Sequence, residues 1–157
     1  LIDNFHSAER RGRAAPLNMV LTSTGAASAV AKALPQLKGK LTGNAIRVPT
    51  PNVSMAILSL NLKRETSRDE MNSFLQRTSL FSELQDQIDF TASTEIVSSD
   101  LVGSRYAGVV DSQATIVDGD RCVLYVWYDN EFGYSTQVIR VMNDMAGIKY
   151  PTLPVAR

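Results

Sequence analysis

The stretch RCVLYVWY, Arg121 to Tyr128, decides the fold. After its leading arginine it is made of β-branched, aromatic and other apolar residues, the composition of a strand. Successive side chains of a strand point to opposite faces. Cys122, Leu124 and Val126 therefore share one face, and Val123, Tyr125 and Trp127 share the other. A strand apolar at both parities is covered on both faces. Just before it, Asp118-Gly119 is a hairpin signal, which makes residues 113–117 its antiparallel partner.

Reading outward from that strand gives the other elements. Residues 134–145 form an amphipathic helix, with Val138, Val141, Met142 and Met145 on one face. Residues 53–62, VSMAILSLNL, form a strand with Leu58, Leu60 and Leu62 on one side and Met55 and Ile57 on the other. Ser67-Arg68-Asp69-Glu70 has the pattern of a capping box, before a helix carrying Met71, Phe74, Leu75 and Thr78 on one face. Residues 79–94 hold at most a short helical piece, and further strand-like pieces lie at 95–97 and 106–110. Residues 43–48 form a strand stopped by Pro49-Thr50-Pro51. Residues 26–34 form a short helix capped by Ser23 or Thr24 and ended by Pro35 and Gly39. Residues 1–19 read as a long polar loop, the kind that carries function or is held by a partner. Together these predict the α+β class: a largely antiparallel or mixed β-sheet with helices on one face. The helices suffice for one face. The other calls for another domain or subunit.

The 157 residues carry equal numbers of acidic and basic side chains, 44% hydrophobic and 20% charged residues. Such a balance gives no overall pull toward nucleic acid or an anionic membrane. No apolar run approaches the roughly 20 residues of a membrane span. The single cysteine cannot form an internal disulfide, and no signal-peptide pattern is visible, so the expected compartment is the cytoplasm.

Four places carry candidate chemistry. At Ser23-Thr24-Gly25-Ala26-Ala27 a helix starts with a hydroxyl donor, a glycine and an uncrowded first turn. That suits a phosphate, since the first N–H groups lack intrahelical partners and the dipole is positive there. It suits an ordinary N-cap as well. Arg47, at a strand end locked by prolines, suits bidentate anion recognition or a surface salt bridge. Arg10, Arg11 and Arg13 add positive charge or form a solvated basic loop. In WYDNEFGYS, residues 127–135, a strand ends in polar side chains before a helix, a common place for a site. Asn130 there can hold a carboxamide or ribose, or belong to an Asx-type turn. His6 and Cys122 do not read as a catalytic pair, because Cys122 lies inside an apolar strand. No cluster has metal-ligand spacing, and neither nucleotide-binding glycine fingerprint occurs.

Three segments, TSTGAASAVAKALPQLKGKLTGNAIRVPTPNVS, the Ser98-Ser99-Asp100 triplet and WYDNEFGYS, resemble the catalytic domain of phosphorylating glyceraldehyde-3-phosphate dehydrogenases in order and separation. The resemblance runs from the arginine-rich loop to about Met145 and leaves residues 147–157 as a variable tail. It implies an enzyme in which a cysteine thiolate attacks the aldehyde of glyceraldehyde 3-phosphate. A histidine assists proton transfer, hydride passes to NAD or NADP, and inorganic phosphate cleaves the thioester to 1,3-bisphosphoglycerate. Thr24 and Gly25 match residues holding the attacking phosphate. Arg47 matches the arginine between the two anion sites, and Arg11 a basic residue used for the substrate phosphate. Asn130 matches the asparagine that orients the nicotinamide carboxamide, and Tyr134 lies in the adjoining motif. Residues 1–19 resemble part of the S-loop, which lies near a neighbouring subunit's cofactor in the family's tetramer.

The chain departs from the family pattern at the catalytic pair. It has no Ser-Cys-Thr-Thr-Asn motif for the nucleophile, and His6 falls too late to be the catalytic histidine. The resemblance thus implies a C-terminal catalytic domain over residues 1–157, incomplete at its N-terminus. By the same resemblance the preceding dinucleotide-binding domain is expected to be missing from this chain, and the chain is expected to be inactive alone but to self-associate. Erythrose-4-phosphate dehydrogenase, a close relative, and a non-catalytic oligomerisation module remain alternative readings.

Overall fold

The computed structural model describes residues 3–154. The chain divides into two compact units, Leu1–Pro51 and Asn52–Arg157. The first two residues of the polar loop and the last three of the tail lie outside the described residues.

The first unit is built on an antiparallel ribbon of β1 (Val20–Ser23) and β2 (Asn44–Arg47), in which Val20 faces Arg47 and Ser23 faces Asn44. The preceding polar loop contains two 3-10 turns, Glu9–Gly12 and Ala15–Leu17. It closes on itself: the Asn4 N–H donates to the Gly12 carbonyl at 2.7 Å. A Cβ at Gly12 would stand 2.1 Å from the Asn4 oxygen, so only glycine fits there. The Asp3 carboxylate accepts from Arg13 Nε and the Ala14 N–H, tying the other side of the loop. Helix α1 (Ala26–Ala33) follows β1. It stops one residue before the expected end because Pro35 drives Leu34 out of the helical region, to φ −124° and ψ 80°.

The second unit holds β3 (Ser54–Asn61), α2 (Arg68–Phe81), β4 (Ile88–Thr91), β5 (Gly108–Asp111), β6 (Ile116–Asp118), β7 (Arg121–Tyr128) and α3 (Phe132–Met145). Its sheet runs β3-β7-β5-β4, with β6 also paired to β7. RCVLYVWY is therefore the central strand. β3 pairs with it along its whole length, while β6 and β5 pair with its first and last portions. The β6–β7 hairpin turns at Gly119-Asp120, with Gly119 at φ +64° as a type II′ turn requires. Val53, Val109, Val110, Cys122 and Leu124 form the core of this unit. The sheet is mixed, since β4 pairs parallel to β5. The fold is α+β.

Four local expectations need correction. β4 lies where at most a helical piece was expected, because its partner β5 is distant in sequence. Residues 95–97 are not a strand. The Glu95 N–H is taken by Ser93 Oγ and the Val97 N–H by Asp100 Oδ2, so side chains occupy the donors a ladder would need. On α2, Phe74 is 63% exposed, and the inward face runs through Met71, Leu75, Thr78 and Ser79. The capping box at Ser67 is half formed. Ser67 Oγ accepts the Glu70 N–H, but the Glu70 carboxylate turns to Thr66 Oγ1 and Arg64, which hold it below the ordinary glutamate pKa.

Candidate functional site

In the first unit, the end of β2 and the polar loop line a half-open pocket of about 330 Å³. His6, Arg11, Arg13, Asn18 and Arg47 line it, with Val20 and Val48. Arg47 is the last residue of β2, and the chain bends immediately after it, where the Thr50 N–H donates to the Val48 carbonyl at 2.9 Å. Arg11 comes from the first 3-10 turn. Arg13 is neutralised by Asp3 at 2.8 Å. Arg11 and Arg47 have no acidic partner among the described residues. His6 Nδ1 accepts the Ala8 N–H, which leaves Nε2 as its free nitrogen. Two exposed guanidinium forks without an acidic partner among the described residues thus share one pocket, and such forks suit bidentate contact with an anion.

Thr24 and Gly25 stand at the other end of the same ribbon. The formal N-cap of α1 is Gly25, not Ser23 or Thr24. Thr24 Oγ1 nevertheless accepts the Ala26 N–H at 3.2 Å. A Cβ on Gly25 would meet nothing within 4 Å, so the approach to the first helical turn is open. Arg47 pairs with Val20, four residues before Thr24. At about 3.3 Å per residue this separates the two backbones by ~13 Å along the ribbon. Arg11 and Arg47 thus share a cavity, while Thr24 and Gly25 are not part of its lining.

In the second unit, the sequence-predicted Asn130 follows the end of β7 and is exposed. Its Oδ1 accepts Ser54 Oγ at 3.2 Å, and its Nδ2 has no partner among the described residues. The residue before it was not singled out in the sequence. Asp129 is 2% exposed. Its Oδ1 accepts the N–H groups of Glu131 and Phe132, and its Oδ2 accepts the Gly103 N–H and Asn52 Nδ2. The Gly103 and Phe132 amides lead in holding this carboxyl below the ordinary aspartate range, against the opposing effect of burial. Capping by Asp129 also starts α3 at Phe132, two residues earlier than expected. Tyr134, in the first turn of α3, is 71% exposed. Gly133 beside it lies against backbone: a Cβ there would be 2.7 Å from the Tyr106 oxygen and 3.2 Å from that of Ser104.

Cys122 is 1% exposed, and burial pushes its thiol pKa up, the opposite of what a nucleophile needs. No helix among the described residues is long and apolar enough to cross a membrane.

The second unit's α+β fold carries an exposed carboxamide, and the first unit carries a pocket lined by arginines. The particular family follows from comparison with known proteins. Residues 1–130 match the family model described as "Glyceraldehyde 3-phosphate dehydrogenase, C-terminal domain", and the chain belongs to that family. It is 69% identical over 154 residues to a "Glyceraldehyde-3-phosphate dehydrogenase-like protein" of Pseudomonas aeruginosa, covering 98% of this chain and 33% of the relative. It is 44% identical over 141 residues to a glyceraldehyde-3-phosphate dehydrogenase of Borreliella burgdorferi, covering 88% of this chain and 42% of the relative. A chloroplastic glyceraldehyde-3-phosphate dehydrogenase of Arabidopsis thaliana is 46% identical over 147 residues, covering 93% and 37%. The chain spans 33% to 42% of the length of these relatives.

Proposed function

We propose that this chain is the anion-binding and nicotinamide-contacting part of a phosphorylating dehydrogenase. The whole enzyme oxidises glyceraldehyde 3-phosphate with NAD or NADP and inorganic phosphate, giving 1,3-bisphosphoglycerate. The observation that carries this reading is the cavity that joins Arg11 and Arg47 with no acidic partner among the described residues. A phosphoryl dianion satisfies both forks at once. Arg47 stands between the substrate phosphate, held with Arg11, and the attacking phosphate, held by Thr24 and Gly25 at the open start of α1.

The nicotinamide cofactor is fitted by Asn130, whose Nδ2 is an unused donor. Bound there, the cofactor supplies hydride acceptance. Tyr134 contributes from the adjoining helical turn. The thiolate and the histidine that the reaction needs come from residues other than Cys122 and His6: Cys122 is buried with a raised pKa, and His6 lacks the family's sequence context. On this reading the domain is the C-terminal catalytic one, its dinucleotide-binding partner lies elsewhere in the enzyme, and the assembly is a homotetramer. The compartment is the cytoplasm, although the chloroplastic relative shows that the family also occurs elsewhere.

The test is NAD and NADP reduction with glyceraldehyde 3-phosphate and phosphate, by this chain alone and by a longer enzyme containing it. Turnover by the longer enzyme only is expected. Turnover by the chain alone would overturn the assignment of nucleophile and base.

A further inference from the structure

Asn130 sits on an exposed turn, where its side chain has several staggered wells and its carboxamide can present either edge. Three features of the second unit remove that freedom. The first is Asp129. Its four acceptor bonds tie the turn to the start of α3, to the segment at Gly103 and to Asn52. The second is Val53. It is the only non-glycine residue with positive φ among the described residues, at 70°. A β-branched side chain adopts that conformation only when its surroundings enforce it, and such strain gathers at functional sites. Here the Val53 N–H donates to Asn52 Oδ1 at 2.7 Å, and Asn52 Nδ2 donates in turn to Asp129. The third is Ser54, the next residue, whose hydroxyl donates to Asn130 Oδ1. The contacts close a ring: Asp129, Asn52, Val53, Ser54, Asn130.

We infer that Asp129 and Ser54 are positioning residues for the cofactor contact. Asp129 fixes the backbone on both sides of the contact, and Ser54 decides which edge of the Asn130 carboxamide faces outward. With Oδ1 held by Ser54, the Nδ2 donor meets the nicotinamide amide oxygen. This inference rests on the reading of Asn130 as a nicotinamide contact, and neither Asp129 nor Ser54 touches the cofactor.

The test uses the longer dehydrogenase containing these residues, with NADH as the probe. Binding is read by fluorescence, alongside KM for both substrates and Tm. Ser54→Ala should weaken NADH about three- to tenfold, the size of one hydrogen bond. KM for the aldehyde and Tm should not move, and Ser54→Thr, which keeps the hydroxyl, should restore NADH affinity. Asp129→Asn cannot satisfy two pairs of donors in either orientation and should also weaken NADH. In an Asn130→Ala background neither change should weaken it further, because residues acting through one another are not additive.

Equal losses in the wild-type and Asn130→Ala backgrounds would overturn the inference and leave the cofactor reading standing. So would a Ser54→Ala variant that binds NADH unchanged while Asn130→Ala does not. NADH binding unaffected by Asn130→Ala would overturn both. If Asp129→Asn fails to fold, the Ser54 pair decides the matter by itself.

Discussion

The unit Leu1–Pro51 buries only Gly12 and Val20 among its described residues, and its cavity is lined by three arginines and a histidine. The unit Asn52–Arg157 buries Val109, Val110, Cys122 and Leu124, and buries carboxylates as well. Asp111 accepts Trp127 Nε1 at 3.1 Å and the N–H groups of Gln113 and Ala114. Asp129 does the same work at the end of β7. The first unit therefore presents charge on a thin ribbon, and the second pins its turns with hydrogen-bonded acids that cannot leave. Groups that meet an anion need exposure, while a carboxamide that must show one edge needs a rigid mount.

Truncating side chains in the two units should give the largest contrast. Leu124→Ala should cost about 2–5 kcal/mol of stability, the range for a buried leucine. Leu21→Ala, at a side chain 53% exposed, should cost no more than about 0.5 kcal/mol. Urea unfolding of both variants measures this, and equal losses would erase the distinction.

Gly133→Ala comes next, at about 1–3 kcal/mol, because its Cβ meets two backbone carbonyls that cannot swing aside. The same urea series measures it. A neutral result would mean that α3 starts with slack. Ser67→Ala should cost about 1 kcal/mol, the loss of one N-cap, seen as a lower urea midpoint with unchanged slope.

Between pH 7 and 5 the Asp129 contribution should not change. Its carboxyl is held below the ordinary aspartate value in the folded state, so its stabilising effect is complete above the unfolded value of about 3.9. It is lost as the pH falls through the lower folded value. Stability measured from pH 7 to pH 2 should show a steeper acid limb for the wild type than for Asp129→Asn. Parallel limbs would contradict the assignment.

Much of this arrangement is legible in the sequence. β7 has the bounds its composition suggests and β3 agrees to within one residue at each end, while the hairpin turns at Gly119-Asp120, one residue past its Asp118-Gly119 signal, with a partner strand of Ile116–Asp118 rather than 113–117. These are elements whose signals are local: alternation, turn residues, an apolar run. β4 was not legible, because Ile88-Asp89-Phe90-Thr91 becomes a strand only by pairing in parallel with distant β5. Val138, Val141, Met142 and Met145 share one face of α3 as their spacing predicts, but all four are exposed, and the half-buried side runs through Thr136, Gln137, Arg140 and Asn143.

The site divides in the same way. Arg11 and Arg47 carry a chemistry readable from residue type, and the family pattern joins residues that lie far apart in sequence. Asp129 reads as any aspartate in a turn. Its importance lies in four donors that come from separate segments, at Asn52, Gly103 and the start of α3. Periodicity cannot announce a meeting of that kind.

The most direct test of the central claim is a titration of the 157-residue chain with inorganic phosphate, followed by NMR of the arginine side chains and backbone amides. The account predicts that the Arg11 and Arg47 signals and the amides at the start of α1 move together. Arg47→Ala should weaken binding by about tenfold or more, as expected for losing a charge-assisted contact. Phosphate binding of unchanged strength in Arg47→Ala would contradict it.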